Sequence, residues 1–337
     1  MATYLPINLI ILSCISIPIL AFILSIFYSY EYRKIIARLQ GRRGPYFIVP
    51  KEVRSILGMT RLWQPLFDIL KLLFKETIVP SPSNKLIFKT APYVALISLV
   101  GIIFFVPIVG ISPFGKFEFS LIIILYLLLV MPLSLIIGGS ASSSPWGAYG
   151  AQREVELFLA YEVPQVLGIF ALAITADTLS ISNLIAFQIQ KIPFIILNPF
   201  AAIVVFISFL GKFKVKPFDI TEAEVEIVAG TLTEYSGKLL GIIEIVRSLF
   251  VFLIPTLFVD LFLGGGIVGT YKNPNYPFSI IVFIIESLMI IFIFAFIHVY
   301  NPRFRIDQAF NWFLKYPLVL GFIAIIWAYA IRYFGIL

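Results

Sequence analysis

Eight runs of apolar residues, each long enough to cross a bilayer, constrain this chain more than any other feature. They lie at 7–30, 91–110, 119–139, 154–177, 193–211, 237–263, 278–300 and 317–336. A helix needs about 20 consecutive apolar residues to span the hydrocarbon core. Lipid offers no partner to free backbone N–H and C=O groups, so such runs form helices that satisfy their own. Composition agrees, with 60% of the 337 residues hydrophobic and 13% charged, against about 25% charged in a soluble domain. The expected fold is an all-α integral membrane protein: eight transmembrane helices in one polytopic domain over 1–337. Pro92, Pro107, Pro132, Pro164 and Pro255 fall inside or near these runs, where neighbouring helices can re-satisfy the freed carbonyls. The first run exceeds the length of a cleaved signal segment and lacks its small-residue cleavage site, so it reads as a retained helix.

Charge orients the bundle. The loops at 31–90, 140–153, 212–236 and 301–316, with Lys238 at a helix start, hold twenty of the 25 Lys and Arg residues. The other side has Lys116, Lys191, Lys272 and Arg332. The positive-inside rule makes the four rich loops cytoplasmic and puts both termini outside, in a multi-pass protein of the cell membrane. The net charge of +7 then needs no nucleic-acid partner. Within the first loop, "RLWQPLFDILKLLFKE" (61–76) repeats Leu62, Leu66, Ile69, Leu70 and Leu73 at helical spacing. That pattern predicts an amphipathic helix in the headgroup plane, either a brace on the membrane surface or a docking element.

The residues that carry redox chemistry elsewhere are scarce. Cys14 is the one cysteine and His298 the one histidine, so no disulfide can form within the chain, and neither residue has partners at metal-ligand spacing. No glycine-rich phosphate loop occurs. The chain alone carries no catalytic residue, and any cofactors of a redox reaction are expected on other subunits. Carboxylates are what remain. Glu154, Glu156, Glu162 and Asp177 fall in the fourth run, Glu244, Arg247 and Asp260 in the sixth, and Glu286 in the seventh. Ionisable groups at membrane depth cost about 2.5–3.5 kcal/mol each on insertion scales and usually have a function. Glu154, Glu156 and Asp177 lie near helix ends, where headgroups could solvate them. Glu162 and Glu286 lie deeper without a local partner, which suits proton exchange. Glu244 and Arg247, three residues apart, can pair on one face and merely neutralise each other. His298 reads as an interfacial histidine.

The stretch "KPFDITEAEVEIVAGTLTEYSG" (216–237) gathers Asp219, Glu222, Glu224, Glu226 and Glu234, five of the eighteen acidic residues. On a helix Asp219, Glu222 and Glu226 would share one stripe and Glu224 would point away. Ile220, Val225, Ile227 and Val228 interleave with them. Either a solvated acidic loop or a partly buried funnel fits that pattern.

"ARLQGRRGP" (37–45), "QPLFDILKLLFKE" (64–76), "GAQREVELFLAYEVP" (150–164), "PFDITEAEVEIVAGTLTEYSG" (217–237) and "RFRIDQA" (303–309) occur in an order that resembles a known family. It is the membrane subunit shared by respiratory complex I, where it is the H subunit of the NADH:quinone oxidoreductase, and by energy-converting membrane-bound nickel–iron hydrogenases. The resemblance spans nearly the whole chain. It implies an eight-helix subunit that joins a hydrophilic redox arm, carrying iron–sulfur clusters, to antiporter-like and small membrane subunits. Nickel–iron or quinone chemistry would sit in or beside those partners. In complex I the acidic loop and the first loop line a quinone chamber, and glutamates lead from it into the membrane. Carried over, the loop acids are Asp219, Glu222, Glu224, Glu226 and Glu234, the intramembrane glutamate of the "YE" motif is Glu162, and the basic first-loop motif gives Arg42 and Arg43. Where complex I continues with "GPN", this chain has Gly44, Pro45 and Tyr46, and its "AQRE" and "YEVP" stretches look more like hydrogenase-type or sulfur-reductase-type relatives.

The resulting expectation is an ion-translocating anchor subunit that couples electron transfer in a partner arm to proton or sodium movement. Its ion path would use Glu154, Glu156, Glu162, the five loop acids, Glu244, Arg247 and Glu286. Its arm-facing surface would use Arg42, Arg43, Gly44, Pro45, Asp68, Lys71, Arg153, Arg303, Arg305 and Asp307. The alternatives are a quinone-chamber subunit of a true complex I, a stand-alone transporter and a passive scaffold. A transporter usually shows internal repeats and broken helices, and neither is evident in the sequence.

Overall fold

The computed structural model describes residues 7–45, 62–221, 224–271 and 274–334. Glu222 and Arg61, and the side chain of Glu224, lie outside the described residues. Seven helical stretches are long and apolar enough to cross a membrane: Leu12–Leu39, Lys85–Phe105, Ser120–Ser140, Pro145–Ala176, Gly237–Phe262, Tyr276–Tyr300 and Ile306–Tyr333. The helices are α1 (Ile7–Leu39), α2 (Gln64–Phe74), α3 (Lys85–Phe105), α4 (Ser120–Ser140), α5 (Pro145–Ala176), α6 (Ile181–Gln190), α7 (Phe194–Leu197), α8 (Pro199–Lys212), α9 (Glu224–Ile227), α10 (Gly237–Phe262), α11 (Tyr276–Tyr300), α12 (Ile306–Lys315) and α13 (Pro317–Tyr333). The chain is therefore helical and multi-pass, as its apolar runs require.

Two helices organise the rest. α10 is apolar nearly all round and buries both flanks, with Phe252 and Phe262 almost sealed from solvent, as expected of a helix inside a bundle. It packs against α1, α2, α3 and α11. α5 packs against α4, α8, α12 and α13. The outward faces keep large apolar residues such as Ile97, Ile285 and Ile326 exposed, the surface a lipid-embedded bundle presents.

The structure departs from the sequence expectation in four places. The run at 193–211 is broken into the single turn α7 and the 14-residue α8. Pro199 cannot donate to an earlier carbonyl, and its ring pushes Asn198 out of the helical region. Asn198 then caps the new helix through its Oδ1, which accepts from Ala201 N at 3.1 Å, while its Nδ2 donates to Ala324 O at 3.0 Å. α5 starts at Pro145, nine residues before the expected 154, so most of the 140–153 stretch is helix. Pro at the first helical position is already shaped for that start. The 301–316 stretch contains α12, which meets α13 at Tyr316 ahead of Pro317. α6 fills part of the segment after the fourth run. The amphipathic stretch forms α2, and its buried Pro65 and Ile69 face the bundle. There α2 lies so close to α10 that a Cβ on Gly241 would sit 3.2 Å from Leu72 and Leu73 side-chain atoms.

Candidate functional site

The segment from 212 to 236 folds back onto the bundle, and its first turn explains how. α8 ends with Val215 N donating to Leu210 O and Lys214 N to Gly211 O, both at 3.1 Å. This pattern needs a left-handed residue, usually glycine, just past the helix; here Lys214 takes that conformation at φ 54°. The turn brings two lysines, two residues apart, onto α5. Lys212 Nζ lies 2.7 Å from Glu162 Oε2, with the two side chains 1% and 9% exposed. Lys214 Nζ lies 2.9 Å from Glu154 Oε1. Thr231 Oγ1, from the far end of the same segment, donates to Glu154 Oε2 at 3.3 Å. Glu154 and Glu162 are eight residues apart on α5, about 12 Å along its axis.

Aromatic packing holds the segment down. Phe218 is buried among Phe304, Trp312 and Phe313, and Phe304 N donates to Pro217 O at 2.9 Å. Tyr235 stacks on Phe88 at 4.2 Å and donates its hydroxyl to Phe88 O. A Cβ on Gly150 would fall 2.6 Å from the backbone of Gly230, so α5 and the loop touch backbone to backbone there. Gly230 itself sits at φ +55° with Thr221 O in the space a side chain would need, which leaves glycine as the residue that fits.

Beside the two lysines lies a cavity of about 300 Å³, lined by Tyr32, Met131, Pro132, Leu135, Glu154, Tyr161, Lys212, Phe213, Lys214, Asp219, Arg247, Phe250, Val251 and His298. Its lining combines apolar residues with acids and bases. Asp219 accepts from Arg303 at 2.8 Å, and His298 Nδ1 accepts from Lys216 N at 3.4 Å. His298 is thus tied to the loop and the cavity, not only to an interface. Lys212 Nζ also sits 5.5 Å from the centre of the Tyr161 ring, where a desolvated cation gains from the ring face.

The expected ion-path residues separate into groups. Glu154, Glu162 and Asp219 converge on this cavity or its lysines. Glu154 is 3% exposed, so it is not a headgroup-solvated end residue, because α5 begins earlier and the loop covers it. Glu162 has its partner across the fold, invisible to spacing along one helix. Glu244 and Arg247 do pair, at 2.9 Å, and Glu244 also faces Arg33 at 3.8 Å. Glu156 and Glu234 are half-buried. Glu286 is half-buried, with Oε2 enclosed and without a hydrogen-bond partner among the described residues. Asp219 and Glu226 do not share one helix, and Glu222, the third acid of the expected stripe, lies outside the described residues. Among the described residues of the stretch, α-helix occurs only over Glu224–Ile227, and Asp219 sits in a turn closed by Phe218 N to Val215 O and Ile220 N to Phe218 O. Phe218 must reach its aromatic pocket, and that burial overrides the helical period.

Several residues expected to face a partner also have partners inside the chain. Arg153 bonds Glu226 at 2.5 Å, Arg33 bonds Asp68 at 3.0 Å and Arg303 bonds Asp219. Arg305 and Asp307 are exposed and 3.7 Å apart. Arg42, Arg43 and Lys71 are exposed, and Gly44 and Pro45 half-buried. The two residues that sequence reasoning missed are Lys212 and Lys214. The signal was the alternation in "GKFKVKPFD", which places lysines directly before the acids.

A family model described as NADH dehydrogenase matches residues 11–329. The chain belongs to this family. The H subunit of the NADH-quinone oxidoreductase of Dehalococcoides mccartyi is 31% identical over 292 residues, covering 86% of this chain and 78% of that protein. Its counterpart in Rickettsia typhi is 32% identical over 333 residues, covering 94% and 91%. Among solved structures, a chain of the membrane-bound sulfane sulfur reductase, an archaeal respiratory membrane complex, superposes with a TM-score of 0.82 at 28% identity, covering 95% of this chain and 99% of that one. The resemblance drawn from the motifs is thereby established, on both its complex I and its sulfur-reductase sides. The family member described here is a multi-pass membrane subunit of a respiratory oxidoreductase type, and it has other subunits as partners.

Proposed function

We propose that the chain anchors a hydrophilic redox arm to the membrane and couples electron transfer in that arm to proton or sodium movement. The observation that carries this reading is the pair of buried acid–base contacts, Glu162–Lys212 and Glu154–Lys214, beside a cavity that also meets Asp219. A buried ion pair is a poor stabiliser, since desolvation offsets much of the attraction, and its best-attested use is as a registry or switching element. Here Lys212 closes α8, Lys214 sits in the turn that follows it, and both glutamates lie on α5, so a shift of the loop at its junction with α8 would change the charge balance of the pairs. A redox event can drive that shift only by favouring one loop state over the other. Glu156, Glu226, Glu234, Glu244, Arg247 and Glu286 would extend the path on either side. This coupling reading favours neither a passive scaffold nor a stand-alone transporter.

The exposed basic groups Arg42, Arg43, Lys71 and Arg305 suit docking of the arm, whose subunits would carry the iron–sulfur clusters and any nickel–iron or sulfur chemistry. Antiporter-like and small membrane subunits would cover part of the apolar flank. The loop end would face the cytoplasm of a cell-membrane protein with both termini outside. α7 and α8 together would complete an eighth crossing, and α2 would lie near the headgroups. A second reading, in which a quinone headgroup enters the cavity, draws on its apolar lining residues Met131, Pro132, Leu135, Phe213 and Phe250 and on the name of the NADH-quinone oxidoreductase relatives.

The test replaces Glu162 with Gln and Lys212 with Met together, so that no charge is left unpaired. The assembled complex, reconstituted in vesicles, should still transfer electrons within its arm but lose redox-driven ion movement. Full ion movement in that variant would overturn the proposal. A photoreactive quinone analogue labelling Met131 or Phe250 would favour the second reading.

A further inference from the structure

The far end of α10 holds a carboxyl group that the loop site does not use. Asp260 is 23 residues along α10 from Gly237, about 35 Å at 1.5 Å per residue. It is 0% exposed, and neither Oδ1 nor Oδ2 has a hydrogen-bond partner among the described residues. Its surroundings offer little to an anion. From α6, Ile185 packs beside it, and a Cβ on Gly265 would come within 3.0 Å of Asp260 Oδ1 and 3.5 Å of Ile185 carbons. The nearby amide of Gln188 is occupied: Nε2 donates to the Asp260 backbone carbonyl at 2.9 Å and Oε1 accepts from Phe194 N. Tyr271 lies within electrostatic range of Asp260. The other group within that range is Glu286 on α11, itself a carboxyl. Glu286 lies three residues beyond Phe283, the residue that abuts the Gly264–Gly266 turn.

An ionised carboxylate in this position would be a desolvated charge with no donor and no cation among the described residues, which costs several kcal/mol even after relaxation. Two species can relieve it, a proton or a bound metal cation. A hard cation takes several oxygen ligands, and no group of three acid, histidine or cysteine residues is placed to hold one among the described residues. We propose that Asp260 carries a proton and, with Glu286 on the adjoining α11, forms a second proton-binding site at the end of the bundle opposite the 212–236 segment. The site's place in the fold makes it the counterpart of the acid–base cluster at the loop end. Its existence does not depend on the ion-movement reading, because protonation can be read without turnover.

The experiment is infrared difference spectroscopy on the intact complex in membranes at neutral pH, comparing wild type with Asp260→Asn. The expected result is loss of one carbonyl-stretch band of a protonated carboxylic acid, a band that shifts on exchange into heavy water. Glu286→Gln should keep that band and move the pH at which it titrates. A spectrum in which no such band is lost would overturn the proposal. So would a band that disappears on adding sodium at constant pH, since that assigns the site to a cation. If Asp260→Asn fails to assemble, the wild-type complex is treated with a hydrophobic carbodiimide, which modifies protonated buried carboxyls. Modification of Asp260 found by peptide mass mapping supports the proposal, and an unmodified Asp260 rejects it.

Discussion

Replacing Lys212 by Met should destabilise the chain far more than replacing Lys212 and Glu162 together. The two side chains are 1% and 9% exposed, so solvent screens their interaction little. Removing one partner of such a pair leaves a buried, uncompensated charge and costs about 3–5 kcal/mol, whereas replacing both with well-packed hydrophobic residues of similar volume, such as Lys212→Met with Glu162→Leu, is often neutral or stabilising by about 1–4 kcal/mol. The single variants Lys212→Met and Glu162→Leu should each lose roughly 3 kcal/mol, on the order of a hundredfold in the folded-to-unfolded ratio. The double variant should return to within about 1 kcal/mol of wild type. The assay is a double-mutant cycle by denaturant titration of the detergent-solubilised chain, with the coupling term as the readout. Singles that each cost under about 1 kcal/mol and simply add would refute the view that this contact is a desolvated ion pair.

Other outcomes follow from the same geometry. Gly150→Ala should separate α5 from the turn at Gly230, because the new Cβ would meet backbone at 2.6 Å; overpacking of this kind costs about 1–3 kcal/mol, and faster proteolysis within 212–236 is the check. Arg153 and Glu226 are 30% and 55% exposed, so a double-mutant cycle there should give a coupling of only about 0.2–1 kcal/mol; a larger value would mean that the pair is covered. With Cys14 replaced by Ser, cysteines at Ser81 and at Lys116, both exposed and separated by α3, should be labelled from opposite sides of the membrane, Ser81 from the cytoplasm. Labelling of both from one side would show that α3 does not cross.

Composition and periodicity were enough for the membrane class, because lipid leaves apolar runs of that length little choice but helix. The motifs were enough for the family. Local rules also sufficed where both partners share a helix, as with Glu244 and Arg247. They failed where burial of one side chain elsewhere overrode them. With Phe218 in its aromatic pocket, Asp219 sits in a turn and not on one helix with Glu226, although the spacing reads as helical. A proline split the fifth run, but that Asn198 would bond Ala324 O, 126 residues away, is a fact of packing. Glu162 and Lys212 stand fifty residues apart, and so nothing in the order of residues pairs them. The pairing is decided when α8 packs on α5 and a left-handed turn at Lys214 returns the chain to the same face. Sequence sets which charges must be buried because the segments that carry them are apolar; tertiary structure decides which opposite charge meets each, because in a dry interior only contact distance can offset desolvation.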